Sequence, residues 1–168
     1  LVSYLPAMLQ NFLAIVLESQ SGIDYHPLRN LLQTGRWREA DAETYWLMQE
    51  ILGEDSSIHG HDLYDFPCTD LRTMDRLWVQ YSQGRFGFSV QKMIYLECGA
   101  LLDGQYPGDK IWREFCDRIG WRFNHRYLDY SEAKFRITAP QGHLPAKLGL
   151  LTFAGTCVLT LRMKTCGL

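Results

Sequence analysis

Three features of this 168-residue sequence predict an all-α fold of short helices joined by long connections. Apolar residues recur at spacings of three and four in several windows, the period of a helix that buries one face. Asp24, Thr69, Ser89 and Asp109 stand where the first such residues begin, as side chains able to accept a bond from the free amides of a first turn. Gly35, Gly53, Gly84 and Gly120 stand where the windows end, and a glycine takes the positive φ of a helix stop at little cost.

In chain order, Leu5, Met8, Leu9, Phe12, Leu13, Val16 and Leu17 trace a helical stripe over residues 1–22, with Gly22 as its break. Asp24 and Pro27 open a short helix carrying Leu28, Leu31 and Leu32, which Gly35 stops. Trp37 to Leu52 is longer, with Ala40, Trp46, Leu47 and Ile51 as its apolar side. So short a connection makes these two helices antiparallel neighbours. Glu54 to Asp65 is polar and aperiodic, a loop of about a dozen residues, a length at which loops are often functional. A third helix runs from Thr69 to near Ser82 with Leu71, Met74, Leu77, Trp78 and Tyr81 on one face. After the elbow Arg85-Phe86-Gly87-Phe88, Ser89 caps a fourth, with Val90, Met93, Ile94 and Leu96 as its apolar positions. Leu102 to Gly108 is a turn cluster. Asp109 to Ile119 is a fifth helix, with Ile111, Trp112, Phe115, Cys116 and Ile119 inward. Arg122 to Lys134 reads as a mostly irregular loop, ending in a strand-like turn at Phe135 to Ile137. Leu148 to Leu161, rich in Leu, Thr and Val, fits a strand, a packed helix or a disordered tail equally well.

Composition narrows the function classes. With 46% hydrophobic and 21% charged residues and a net charge of −2, the chain is an ordinary globular domain with no bulk attraction to nucleic acid. The five cysteines contain no Cys-x-x-Cys pair, so neither a disulfide framework nor a zinc ribbon is expected, and a reducing compartment is the simplest assumption. No apolar run reaches the roughly 20 residues of a membrane span, and no secretory signal is read at the start, so membrane contact is expected only at the surface. There is no phosphate-binding loop, no Gly-x-Ser-x-Gly elbow and no Cys/His signature, which argues against an enzyme. His59 and His61, near Asp62, Asp65 and Cys68, match no metal-ligand spacing, and loop histidines beside acids are commonly just solvated.

Two clusters remain. The elbow holds two phenylalanines, an arginine and a glycine that permits close approach; it suits a flat anionic ligand or simply plugs a helix junction. Between Lys110 and Arg136, seven basic residues face four acids, interleaved with Trp121, Tyr127, Tyr130 and Phe135. An apolar slot rimmed by arginines accepts a flat dicarboxylate, while the plainer alternative is a solvated basic face over a core tryptophan.

The run FPCTDLRTMDRLW, followed by YSQGRFGFSVQ, by Gly120-Trp121-Arg122 and by Gly142-His143-Leu144-Pro145, resembles the genomes-uncoupled-four family, over Leu28 to Pro145. Members of that family are non-enzymatic, tetrapyrrole-binding regulators of magnesium chelatase. The resemblance implies a compact all-α domain over residues 24–145 whose helices and connections form a cupped ligand groove, the connection at Glu54 to Asp65 supplying one wall. It implies protoporphyrin IX and Mg-protoporphyrin IX as ligands, no permanently bound cofactor, and the large porphyrin-binding subunit of magnesium chelatase as partner, in the cytoplasm of a cyanobacterium or in a plastid. Because both metal-free and magnesium porphyrins are accepted, His125 is only a weak candidate for an axial ligand. Phe66, Phe88, Trp121, Tyr127 and Phe135 are assigned to the macrocycle, and Arg85, Arg122, Arg126 and Arg136 to the propionates. Residues 1–22 could be the last helix of the bundle that precedes the domain in cyanobacterial members, and residues 146–168 depart from the family pattern. The competing expectation is a helical module that binds an amphipathic partner peptide and no pigment.

Overall fold

The computed structural model describes residues 15–53 and 57–168. Helices α1 (His26–Gln33) and α2 (Trp37–Leu52) form an antiparallel hairpin joined at Gly35, as the short connection requires. A 3-10 turn (Gly60–Leu63) precedes α3 (Cys68–Tyr81), and the elbow leads into α4 (Phe88–Glu97). Helix α5 (Asp109–Ile119) is followed by a two-residue antiparallel hairpin, β1 (Arg122–Phe123) and β2 (Arg126–Tyr127), where an irregular loop was expected. A second 3-10 turn (Tyr130–Glu132), α6 (Lys147–Leu151) and α7 (Phe153–Thr165) complete the chain. The all-α expectation holds.

One core joins these elements. Trp78 is fully buried in the last turn of α3, its indole N–H donating to Thr44 Oγ1 of α2 at 2.9 Å, and Trp37 and Phe86 pack against it tilted and edge-on. The elbow is a plug. Phe86 is fully buried, Gly87 sits where a Cβ would lie 2.8 Å from Val79 Cγ2, and the Gly87 N–H donates to the Leu144 carbonyl at 3.1 Å. Arg85 Nε donates to the Ala139 carbonyl at 2.8 Å, and Gln91 donates to the carbonyls of Gly142 and Pro145. These bonds fix the segment that carries His143 beneath Trp121.

Several local expectations change. Residues 1–14 of the expected first helix lie outside the described residues, and 15–25 are not helical. That segment is instead pinned by Asp70, whose buried carboxylate accepts bonds from Ser19, Gln20, Ser21 and Tyr25. Trp46 of α2 and Met93 of α4 face outward, 65% and 54% exposed, while Tyr45, Met48 and Tyr95 take the core positions. The 146–168 segment is two helices, with Val158, Leu159 and Met163 of α7 buried. Its lack of a clear period follows from burial of Thr156 and Thr160 beside the apolar residues, so no polar stripe marks an outer face.

Cysteine pairing also departs from expectation. Cys68, at the start of α3, forms a disulfide with Cys166, just past α7, while Cys98, Cys116 and Cys157 are free and buried. The pair is 98 residues apart in sequence. No spacing rule can find it, because only the packing of α7 across the start of α3 brings the two together.

Candidate functional site

A cleft of about 560 Å³ opens between α5, the β-hairpin and the α6–α7 junction. That size lies within the roughly 300–1,000 Å³ of small-molecule sites. Helix α5 contributes Asp109, Trp112, Arg113 and Cys116, spaced i, i+3, i+4 and i+7, so that one helical face lines the cavity. Tyr127 and Leu128 close one side and Gly149 to Leu151 with Phe153 the other. Tyr106, Trp112 and Phe153 form a continuous aromatic wall with ring centroids 5.4 to 6.4 Å apart. Tyr106, Tyr127, Leu151 and Phe153 are each about half exposed at the rim. Such an apolar rim suits a flat hydrophobic ligand.

Trp121 is the floor, 1% exposed, and its position is over-determined. Its indole N–H donates to the His143 carbonyl at 2.8 Å. Buried His143 accepts the Lys134 N–H at Nε2 (2.8 Å) and faces the Ile119 carbonyl with Nδ1 (2.7 Å), which fixes the neutral tautomer protonated at Nδ1. Burial holds its pKa below the usual imidazole range. On the other side Gly149 lies against the ring, where a Cβ would stand 2.0 Å from Trp121 Cη2.

The charged groups sit at one edge. Arg113 donates to Asp109 at 2.7 Å and the Tyr106 hydroxyl donates to the same carboxylate at 2.8 Å, a bond that pushes the Tyr106 pKa up to about 12 and keeps the phenol protonated. Arg122 is held by Asp117 at 2.9 Å, with its guanidinium carbon 5.9 Å from the Tyr127 ring centroid. Burial raises the pKa of the Cys116 thiol, so it lines the cleft as an apolar group.

Of the nine residues assigned from the sequence, Trp121 and Tyr127 line this cleft and Arg122 stands behind Tyr127. Phe66 and Phe88 are in the core, 0% and 2% exposed, and Arg85 is on a separate surface beside Ile137 and Thr138. Arg126 is exposed and paired with Glu132 through two bonds of 2.7 and 2.8 Å. Phe135 stacks under Arg38 and against Tyr130, and Arg136 is exposed; neither lines the cavity. None of the described residues of the 54–65 connection lines it either; they pack under α7, with Gly60 against Ala154. His125 is on the hairpin turn beside Arg122. Among the described residues no three His, Cys, Asp or Glu side chains are grouped to hold a metal ion.

The family model described as GUN4-like matches residues 18–157. The chain belongs to the GUN4-like family. The match runs past Pro145, where the sequence resemblance ends, through α6 and into α7, so both walls of the cleft lie inside the GUN4-like region. The structure of GUN4 from Chlamydomonas reinhardtii superposes with a TM-score of 0.70 at 30% identity, covering 90% of this chain and 95% of that one. The chain is 33% identical over 134 residues to the Ycf53-like protein of Synechocystis sp., covering 77% of this chain and 53% of that protein. It is 32% identical over 123 residues to the chloroplastic tetrapyrrole-binding protein of Arabidopsis thaliana, covering 70% of this chain and 46% of that protein. The GUN4-like chain thus spans about half the length of the curated relatives it matches.

Proposed function

We propose that this chain is a non-catalytic regulator that binds protoporphyrin IX and Mg-protoporphyrin IX in the α5–α6 cleft and stimulates magnesium chelatase in chlorophyll biosynthesis. The observation that carries the reading is the cleft itself, a cavity of about 560 Å³ walled by Tyr106, Trp112 and Phe153, floored by Trp121 and edged by Arg113. Family membership and the name of the Arabidopsis relative support it. The aromatic wall would take the macrocycle. Arg113, which lines the cleft, and Arg122, packed against Tyr127, would take the propionates in place of Arg85, Arg126 and Arg136. Delivery of substrate or removal of product at the large porphyrin-binding subunit of the chelatase is the mechanism this geometry serves, because a half-open cleft leaves one edge of the pigment reachable. A cyanobacterial cytoplasm or a plastid is the setting, in line with the sources of the relatives. Among the described residues no helix is long and apolar enough to cross a membrane.

The test is a titration with a soluble porphyrin, with and without magnesium, following tryptophan quenching and the Soret band together. Saturable one-to-one binding with both signals in step is the expected result. Arg113→Ala should weaken it about tenfold, the loss of one charge-assisted bond worth roughly 1.5 kcal/mol, while Arg136→Ala should change it less than about twofold. No saturable change in folded protein would leave the groove to an amphipathic peptide instead.

A further inference from the structure

The end of α7 is tied to the body by polar and covalent contacts as well as by packing, and a disulfide is one of them. Within its last turn Met163 is buried while Lys164 and Thr165 are exposed. Apolar packing at this end comes from Met163, Cys166 and the partly buried Leu168. Four polar or covalent ties do the rest. Arg162 Nε donates to the Phe66 carbonyl at 2.7 Å, Arg72 donates to the Cys166 carbonyl at 2.8 Å, Lys92 donates to the Leu168 carbonyl, and Cys68 is bonded to Cys166 with Cα atoms 5.3 Å apart. Three of these ties meet within three residues, at 166–168, so the Cys68–Cys166 bond sets the position at which the others form.

Cys68 differs from the other cysteines. Cys98, Cys116 and Cys157 are buried, and burial raises each pKa, which makes them unreactive. Cys68 is half-buried, at the first position of α3, where the positive end of the helix dipole favours a thiolate. Asp70, the acid of that first turn, is turned away, its carboxylate occupied by Ser19 to Tyr25. At its other end α7 carries Phe153, and α6, which it continues, carries Gly149 to Leu151, so the clasped helix is the support of one cleft wall.

We propose that Cys68–Cys166 is a reversible thiol–disulfide site, acted on by a dithiol reductant, whose reduction unclasps the end of α7 and loosens the α6–α7 wall of the cleft. One thiolate of the dithiol attacks the sulfur of Cys68, the less buried residue of the pair, forming a mixed disulfide and releasing Cys166 as a thiolate that takes up a proton. The second thiol of the reductant then attacks its own sulfur in the mixed disulfide. Cys68 leaves as a thiolate stabilised by the α3 dipole, and the reductant departs as its cyclic disulfide. Two electrons pass to the protein, and of the dithiol's two protons one goes to Cys166 and the other to solvent while Cys68 stays a thiolate.

The unclasping stands on the contacts above; its consequence for a bound pigment rests on the proposed function. The test uses the full chain, oxidised and after treatment with dithiothreitol, with a Cys68→Ser/Cys166→Ser double variant. Under native conditions reduction should add two maleimide-reactive thiols. Trypsin cleavage after Arg162 and Lys164 should accelerate about tenfold or more as the open population of α7 rises, with cleavage outside α6 and α7 unchanged. The double variant should match the reduced rate with or without dithiothreitol. Failure to gain two thiols, or an unchanged cleavage rate once they are gained, overturns the site. Protoporphyrin should bind the reduced chain several-fold more weakly than the oxidised one. Equal binding of both forms would disconnect the clasp from the cleft wall. If neither form binds pigment while cleavage still responds to reduction, the tetrapyrrole reading fails and the thiol–disulfide site stands.

Discussion

Gly149→Ala is expected to lower stability by on the order of 2 kcal/mol and to weaken porphyrin binding more than about tenfold. The backbone of Gly149 is helical and its φ is not in the left-handed region, so alanine should by propensity favour α6 by about 1 kcal/mol. The new methyl decides the sign. It would stand 2.0 Å from Cη2 and 2.1 Å from Cζ3 of Trp121, against the roughly 3.5–4.0 Å of a comfortable carbon contact. The indole cannot retreat into the core, because its N–H is bonded to the His143 carbonyl and the void it borders there, lined also by Phe88 and Leu159, holds only about 10 Å³. Either α6 swings outward with Leu151 and Phe153 or the ring is driven into the cleft, and both remove the surface a macrocycle would rest on. Thermal unfolding and a porphyrin titration on the same sample report the two losses. Trp121→Phe removes the clashing ring atoms at its own cost in lost packing and an unpaired carbonyl. The double variant should therefore be less destabilised than the sum of the two single ones; strictly additive effects would show that the methyl and the indole do not collide.

Local chemistry accounts for what the sequence made legible. Helix α2 runs as read, from Trp37 to Leu52, and α5 ends as read at Ile119, though Asp109, expected as its cap, is its first residue and Gly108 takes the cap position; Gly53 and Gly120 stop the two helices at φ of 69° and 75°. Each of those signals lies within a few residues of its effect. The start of α4 does not: its amide at Ser89 donates to Asp75 of α3 at 2.8 Å, so Phe88 rather than Ser89 opens the helix. Within the cleft, Trp121 and Tyr127 were visible as aromatics in a basic context, but the sign of a charge carries no direction. Arg126 and Arg136 look like Arg113 in composition, yet only Arg113 has the helical phase that aims it into the cavity beside Trp112. That phase was readable from Asp109, Trp112, Arg113 and Cys116. The opposite wall was not, since Gly149 to Phe153 acquires its role only when α7 packs home.

Asp41 should prove the residue that docks this second wall, and its removal should be as damaging as the clash at Gly149. It lies on α2, fully buried, and its carboxylate accepts the Ala146 N–H at 2.8 Å and the Lys147 N–H at 3.2 Å, capping α6 from 105 residues away. Asp41→Ala leaves both amides unpaired in the interior and should cost about 2–4 kcal/mol. Burial also pushes the Asp41 pKa up to about 7, the bonds from Ala146 and Lys147 only partly opposing it. The sign of the pH dependence follows. Between about pH 4 and 7 the folded chain keeps a proton that the unfolded chain, with an ordinary carboxyl, has released, so stability falls as pH rises through that window and levels off above it. Asp75, likewise raised by burial, adds to the same slope, while His143, with its lowered pKa, acts oppositely and takes stability away as pH falls below about 6.5. The difference between Asp41→Asn and the parent chain isolates the one group. The amide keeps an oxygen acceptor for the α6 cap and cannot ionise, so Asp41→Asn should flatten the decline between pH 4 and 7 and stand above Asp41→Ala at every pH. An unchanged slope in Asp41→Asn, measured by thermal unfolding across that range, would place the titration elsewhere and reduce Asp41 to a cap alone.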